Sequence, residues 1–224
     1  EPERVVQFVT RYLGKSDAPV YEFDGVKYDP VTITALILLK MKSYAEEQGH
    51  DVRDVVISCP VYYGYEERNA IKQAGTIAGL NVLSIINTTT AVTLYYLSDG
   101  EMEEDKRILV YDLGGTTFNL SLLELQLGKQ TLKVIKTDGN EQLGGCEWDA
   151  RLFDCLLRKY AYENGLNDSD LDDELRATIA ALVEKLKIKL SALERVSCSV
   201  RHSGDRTRLE VTREEFEELS QDLV

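Results

Sequence analysis

The chain has 224 residues, 39 acidic against 26 basic side chains and a formal net charge of −13. That length suits one large or two small domains with a real core, and 43% hydrophobic with 29% charged residues is the balance expected of a soluble globular protein. No stretch reaches the roughly 18 uncharged apolar residues of a membrane span, and the acid excess argues against nucleic acid or an anionic membrane as main partner, since both call for clustered Lys and Arg.

In chain order, Tyr21 to Tyr28 reads as a hairpin around Asp24-Gly25, a pair suited to positive φ. Asp29-Pro30 then opens a helix with a cap residue and a first-turn proline, and Ile33, Leu36, Ile37 and Met41 recur at helical spacing as its expected core face. Asp54 to Cys59 is a buried strand ending at Pro60. Tyr65 to Ala78 is a helix with Ala70, Ala74, Ile77 and Ala78 on one face, Val82 to Ile86 a second strand, and Thr89 to Leu97 a helix. Strands alternating with helices at this spacing indicate an α/β domain. The polar, acidic stretch 99–106 is the expected joint between two lobes. Beyond it, Arg107 to Tyr111, Phe118 to Leu125 and Thr131 to Thr137 form a meander. Two long helices follow, Glu147 to Glu163 and Leu171 to Arg195, then a hairpin of Val196 to His202 and Thr207 to Val211. Thr212-Arg213-Glu214-Glu215 is a capping box that starts a last helix ending at Leu223.

The four cysteines include no C-x-x-C pair, and only His50 and His202 supply imidazoles, so a structural zinc site is not expected. Cys59 and Cys155 sit in apolar runs and read as small core residues; both histidines read as surface residues. The chain opens on Glu1-Pro2-Glu3-Arg4, without an initiator Met or a secretory leader, and reads as an excised piece from a reducing, cytoplasmic setting. Gly14-Lys15-Ser16 imitates the end of a P-loop, but Val9 stands where that motif needs its first glycine.

The most informative segment is Ile108 to Leu120. An apolar strand delivers the Asp112 carboxylate at its end, and Gly114-Gly115 turns the chain into Thr116-Thr117. Backbone without side chains can approach phosphate oxygens, successive N–H groups make an anion nest, and an acid at the strand end can hold Mg²⁺ through water. The same residues also fit a plain Gly-Gly hairpin with an Asp cap.

Taken with Val55 to Tyr62, Arg68, the string Ala74 to Asn87, Gln142-Leu143-Gly144-Gly145 and Phe216 to Leu219, this segment resembles the ATPase domain of the 70-kDa heat-shock chaperones. The resemblance implies the actin-like (RNase H-like) α/β ATPase fold, here partial, with two lobes around a nucleotide cleft: residues 1–104 in lobe I and 105–224 in lobe II. It implies ATP or ADP with Mg²⁺ as cofactors, and Asp112 as the metal-side carboxylate. Gly114, Gly115, Thr116 and Thr117 would form a phosphate loop, with Gly144-Gly145 near the phosphates and Glu184, Lys187 and Ser191 on an adenosine-clamping helix. Glu184, Lys187 and Ser191 share one helix face at i, i+3 and i+7, a pattern that a solvated ion-pair face has too. Pro60 and Arg68 would couple nucleotide state to the substrate domain. Implied partners are client polypeptides and J-domain or nucleotide-exchange co-chaperones, with no nucleic acid and no membrane.

Several positions depart from the family pattern. Thr88 and Thr89 replace an acid and a proline, Thr116 replaces a glycine, Asn119 replaces the closing acid, and Thr10 aligns with the catalytic lysine. These losses weaken the metal and water network and the charge stabilisation of the transferred phosphoryl group. Two readings therefore stay open beside each other, an ATPase chaperone piece and a non-hydrolysing nucleotide-binding relative. A sugar or acetate kinase of the same superfamily is weaker, because the Ala74 to Asn87 string is chaperone-like.

Overall fold

The computed structural model describes residues 4–98, 104–129 and 131–224, which form a mixed α/β architecture. They divide into two compact units, one running to Glu141 and one from Gln142 to Val224. Of the expected joint at 99–106, residues 99–103 lie outside the described residues. No described helix is long and apolar enough to cross a membrane.

In the first unit, β1 (Tyr21–Phe23) and β2 (Val26–Tyr28) pair antiparallel. Asp24 and Gly25 between them have φ of 52° and 77°, the left-handed pair that a two-residue hairpin turn requires. Helix α1 (Pro30–Glu47) starts where the Asp29 side chain accepts from the Thr32 N–H at 2.7 Å. Strand β3 (Asp54–Cys59), helix α2 (Tyr65–Ile77) and strand β4 (Asn81–Asn87) make a parallel β-α-β unit. Helix α2 lies so close to this sheet that a Cβ at Gly75 would collide with Val82 Cγ2. Helix α3 (Thr88–Ser98) follows, then the antiparallel meander of β5 (Lys106–Leu113), β6 (Phe118–Gln126) and β7 (Thr131–Asn140).

The buried face of α1 is not the expected one. Ala35 packs with Ala74, Ala78 and Leu80, flanked by Val31 and Leu38, while Leu36, Ile37 and Met41 are 47–61% exposed. Small side chains let α1 and α2 approach closely, and that contact turns the bulkier stripe outward. For the same reason Ile77 of α2 is exposed, and Ile71 and Gly75 take the buried places.

The second unit contains α4 (Gly145–Asn164), α5 (Asp173–Leu190), the antiparallel hairpin of β8 (Arg195–His202) and β9 (Asp205–Thr212), and α6 (Arg213–Leu219). Its core joins Leu152, Leu156, Leu175, Ile179, Leu190, Val200, Leu209 and Val211, and burying each such aliphatic side chain contributes about 1.5–3 kcal/mol. Helix α5 stops at Leu190 instead of continuing to Arg195, because Arg213 Nε donates to the Leu190 carbonyl at 2.8 Å and satisfies one of the terminal acceptors. The last helix is shorter as well: Ser220 Oγ donates to the Phe216 carbonyl at 2.5 Å, and a 3-10 turn over Gln221–Leu223 replaces the final α turn. Cys59 and Cys155 are core residues as expected, 1% and 5% exposed. His202 is not a surface residue: its side chain is 10% exposed, beside Tyr160, with Nε2 3.3 Å from Asp172.

Candidate functional site

Strand β5 ends in Asp112-Leu113, and the turn Gly114–Thr117 closes with the Gly114 N–H donating to the Thr117 carbonyl at 2.9 Å. Antiparallel register places Asp112 directly opposite Asn119. Asn119 is 2% exposed. Its Oδ1 accepts from the Val61 N–H at 3.1 Å, while Nδ2 lies 3.5 Å from Asp112 Oδ2 and 3.4 Å from Thr117 Oγ1. The Val61 N–H can only donate, which fixes the amide orientation and points Nδ2 at the carboxylate.

Val61 follows Pro60 at the end of β3, so this one amide ties that strand end to the glycine turn. The Pro60 carbonyl accepts from the Tyr63 N–H at 3.2 Å. The Tyr63 hydroxyl donates to the Thr10 carbonyl at 2.6 Å, and burial raises the Tyr63 phenol well above its ordinary range, so it remains a donor. Next to Thr10, the Arg11 guanidinium donates to the Thr116 carbonyl within the turn. Arg68 donates from Nε to the Tyr63 carbonyl at 2.8 Å and from its terminal nitrogen to Asn87 Oδ1 at 2.6 Å, linking the β3–α2 loop to the end of β4. Thus Pro60, Arg68, Asp112, Gly114, Thr116 and Thr117 belong to one hydrogen-bonded neighbourhood with Thr10 and Asn119.

Whether this neighbourhood suits a phosphate is tested by Gly115. A Cβ built there meets no atom within 4 Å, so packing does not demand a glycine. What the missing side chain leaves is open backbone, the feature a phosphate oxygen needs for close approach. Beside it stands Asp112, a hard oxygen donor of the kind that Mg²⁺ takes through water. The residues present therefore fit a magnesium phosphate group. By contrast, Gly14-Lys15-Ser16 does not act as a phosphate loop: Lys15 pairs with Glu141 at 3.3 Å, and a Cβ at Gly14 would sit 2.7 Å from the Glu67 backbone nitrogen.

Just past β4, Thr88 Oγ1 is buried without a hydrogen-bond partner among the described residues. Its neighbour Thr89 is fully buried and shares a 2.7 Å hydrogen bond with Ser121 Oγ on β6. In the second unit, Glu147 accepts from the Gly144 N–H at 2.7 Å at the start of α4. Lys187 of α5 donates to the Gly145 carbonyl at 2.9 Å and to Asp149 at 2.8 Å. Glu184 is exposed on α5, and Ser191 is exposed at its C-cap. The structure thus brings Lys187 to Gly145 and leaves Glu184 and Ser191 facing solvent.

Sequence reasoning passed over Val61, Tyr63 and Arg11. Only the last offered a signal, a guanidinium adjacent to Thr10, where the resemblance implies a lysine.

The Hsp70 protein family model matches residues 6–224. The chaperone protein DnaK of Thermotoga petrophila is 40% identical over 231 aligned positions, covering all of this chain and 38% of the relative. The DnaK proteins of Thermotoga maritima and Thermotoga neapolitana match at the same identity and coverage. The chain therefore spans 38% of the length of the curated relatives it matches. With the model match spanning nearly every residue and 40% identity along the whole chain, the chain belongs to the Hsp70 family.

Proposed function

We propose that the chain is part of the ATP-binding module of an Hsp70-type chaperone, in which nucleotide binding and hydrolysis drive cycles of client-polypeptide binding. The observation that carries this reading is the glycine turn beside Asp112, whose open backbone at Gly115 packing does not require. The same proposal takes residues 1–104 and 105–224 as parts of two lobes of an actin-like fold around a nucleotide cleft, in a cytoplasmic protein served by J-domain and nucleotide-exchange co-chaperones.

Bound Mg²⁺ would neutralise charge on the phosphate oxygens. Asp112 is the residue to hold it, and the turn Gly114–Thr117 offers backbone N–H groups and two hydroxyls to the phosphates. Arg11, anchored on the Thr116 carbonyl, fixes the turn and adds a positive charge beside it. Gly144-Gly145, Glu184, Lys187 and Ser191 are proposed to line the rest of the nucleotide site, and Pro60 with Arg68 to relay its state. Lys187 would hold the start of α4 through the Gly145 carbonyl.

A second reading is favoured by Asn119. Its amide closes a neutral hydrogen-bonded bridge where the family pattern has an acid, and Thr10 supplies no charge. Such a site binds nucleotide but transfers the phosphoryl group slowly, since loss of one electrostatic contact costs on the order of 10²-fold in rate. Calorimetric ATP binding and single-turnover hydrolysis by the full-length protein separate the readings. Gly115→Val should keep the unfolding midpoint and abolish binding, and Thr88→Glu with Asn119→Asp should accelerate hydrolysis. Unchanged affinity in Gly115→Val would remove the phosphate-loop assignment.

A further inference from the structure

The β8–β9 hairpin turns Val196, Val200, Leu209 and Val211 into the core of the second unit. Strand alternation then sends Arg195, Ser197, Ser199 and Arg201 of β8, and Arg206, Arg208 and Glu210 of β9, to solvent. This face carries four guanidiniums against one carboxylate in a chain of net charge −13. Arg195 pairs with Glu210 at 3.0 Å. Among the described residues, Arg206 and Arg208 donate only to hydroxyls, Ser199 Oγ at 2.5 Å and Ser197 Oγ at 3.3 Å. Among the described residues no carboxylate stands within ion-pair distance of Arg201, Arg206 or Arg208.

The register sets Arg201 directly opposite Arg206, a like-charge cross-strand pair that works against the hairpin. The face is thus left with uncompensated positive charge of the kind an anionic ligand neutralises. An open depression of about 410 Å³ on the hairpin is lined by Ser197, Cys198, Ser199, Arg206 and Arg208. We propose that this face of the β8–β9 hairpin docks an acidic polypeptide segment in extended conformation, its alternate carboxylates pairing with Arg208 and with the facing pair Arg201 and Arg206.

The spacing fits. Arg206 and Arg208, two residues apart on one strand, stand about 6.8 Å apart along it, and an extended peptide repeats its same-side carboxylates at that interval. A nucleic acid fits less well. The face has no aromatic side chain for base stacking, and the acidic remainder of the chain repels a polyanion that runs beyond the patch.

The test is fluorescence anisotropy with the whole chain and a labelled alternating Glu-Ser peptide. Saturable binding is expected, weakening as salt rises. The alternating Gln-Ser peptide should not bind. Arg201→Ser with Arg206→Ser and Arg208→Ser should lower affinity by about tenfold or more, each exposed pair accounting for roughly two- to fivefold. These positions are solvent-facing, and the Gln-Ser control on the unmodified chain keeps the test independent of how the triple variant folds. The proposal is overturned by equal binding of the two peptides, by an undiminished triple variant, or by tighter binding of a single-stranded oligonucleotide. It is overturned equally if sedimentation shows the chain self-associating through these arginines.

Discussion

Replacing Asn119 by Asp puts a second carboxylate opposite Asp112, at the 3.5 Å separation now spanned by Nδ2 and Oδ2. The bond from the Val61 N–H survives, because a carboxylate oxygen accepts as well as Oδ1 does. The donor to Asp112 does not. Two unit charges at that distance repel by about 4–5 kcal/mol at an effective dielectric constant near 20. Asp112 is only half-buried, so solvent screening reduces the net cost to about 2 kcal/mol. Urea unfolding followed by far-UV circular dichroism at neutral pH should therefore show Asn119→Asp less stable by that amount, with an unchanged slope. Acidification should close the gap as one carboxyl takes up a proton, since the folded variant then binds more protons than its unfolded chain. Added MgCl₂ should narrow the gap at neutral pH. The double variant Asp112→Asn with Asn119→Asp, which keeps one acid and one amide, should recover most of the loss. Equal stability of Asn119→Asp and the parent at neutral pH, or a deficit indifferent to pH, would refute the account of Asn119 as a neutral bridge.

Thr88→Val should raise stability by about 1 kcal/mol by removing a buried hydroxyl that has no partner, whereas Thr89→Val should cost about 1–3 kcal/mol because it strands Ser121 Oγ; thermal melts of the two variants check the opposite signs. Burial, reinforced by Glu215, pushes the Cys155 thiol up to about 11 from 9.0. The unfolded chain thus ionises first, and stability should fall by about 2–3 kcal/mol as pH rises from roughly 9 to 11, a fall that Cys155→Ala should lack in urea titrations. Lys187→Met should cost about 1–2 kcal/mol by releasing Asp149 and the Gly145 carbonyl. Calorimetry on the full-length protein should show weaker ATP binding in the same variant, if α4 is positioned as proposed.

The local signals in the chain translate directly into structure. Asp24-Gly25 makes the turn, Asp29-Pro30 starts α1, and Thr212 caps α6 by accepting from the Glu215 N–H at 3.2 Å, because each acts through neighbours a few residues away. What depends on distant partners was not legible. Periodicity marks Leu36, Ile37 and Met41 as an apolar stripe but cannot rank it against the Ala35 face, which is chosen by the small residues of α2. The end of α5 is set by Arg213, more than twenty residues on, and His202 is drawn under cover beside Asp172 and Tyr160. At the candidate site, Asp112 and the glycines stand out in the sequence. The role of Asn119 does not, since it needs both the β5–β6 register and the meeting with Val61.

That meeting separates two properties that an Hsp70-type site ordinarily joins. Geometry at the turn is held by groups that stay fixed in charge near neutral pH: the Asn119 amide, the Tyr63 phenol on the Thr10 carbonyl, and the always-charged Arg11 on the Thr116 carbonyl. These bonds tie the glycine turn to the end of β3 and to residues 10–11 through the chain's own groups. Stabilising a phosphoryl group in flight instead requires charges aimed at it. At positions 10, 88 and 119 this chain has hydroxyls and an amide. Since one displaced contact of that kind is worth about 10²-fold in rate, substitutions at these three positions should change turnover far more than affinity, while Gly115→Val should do the reverse.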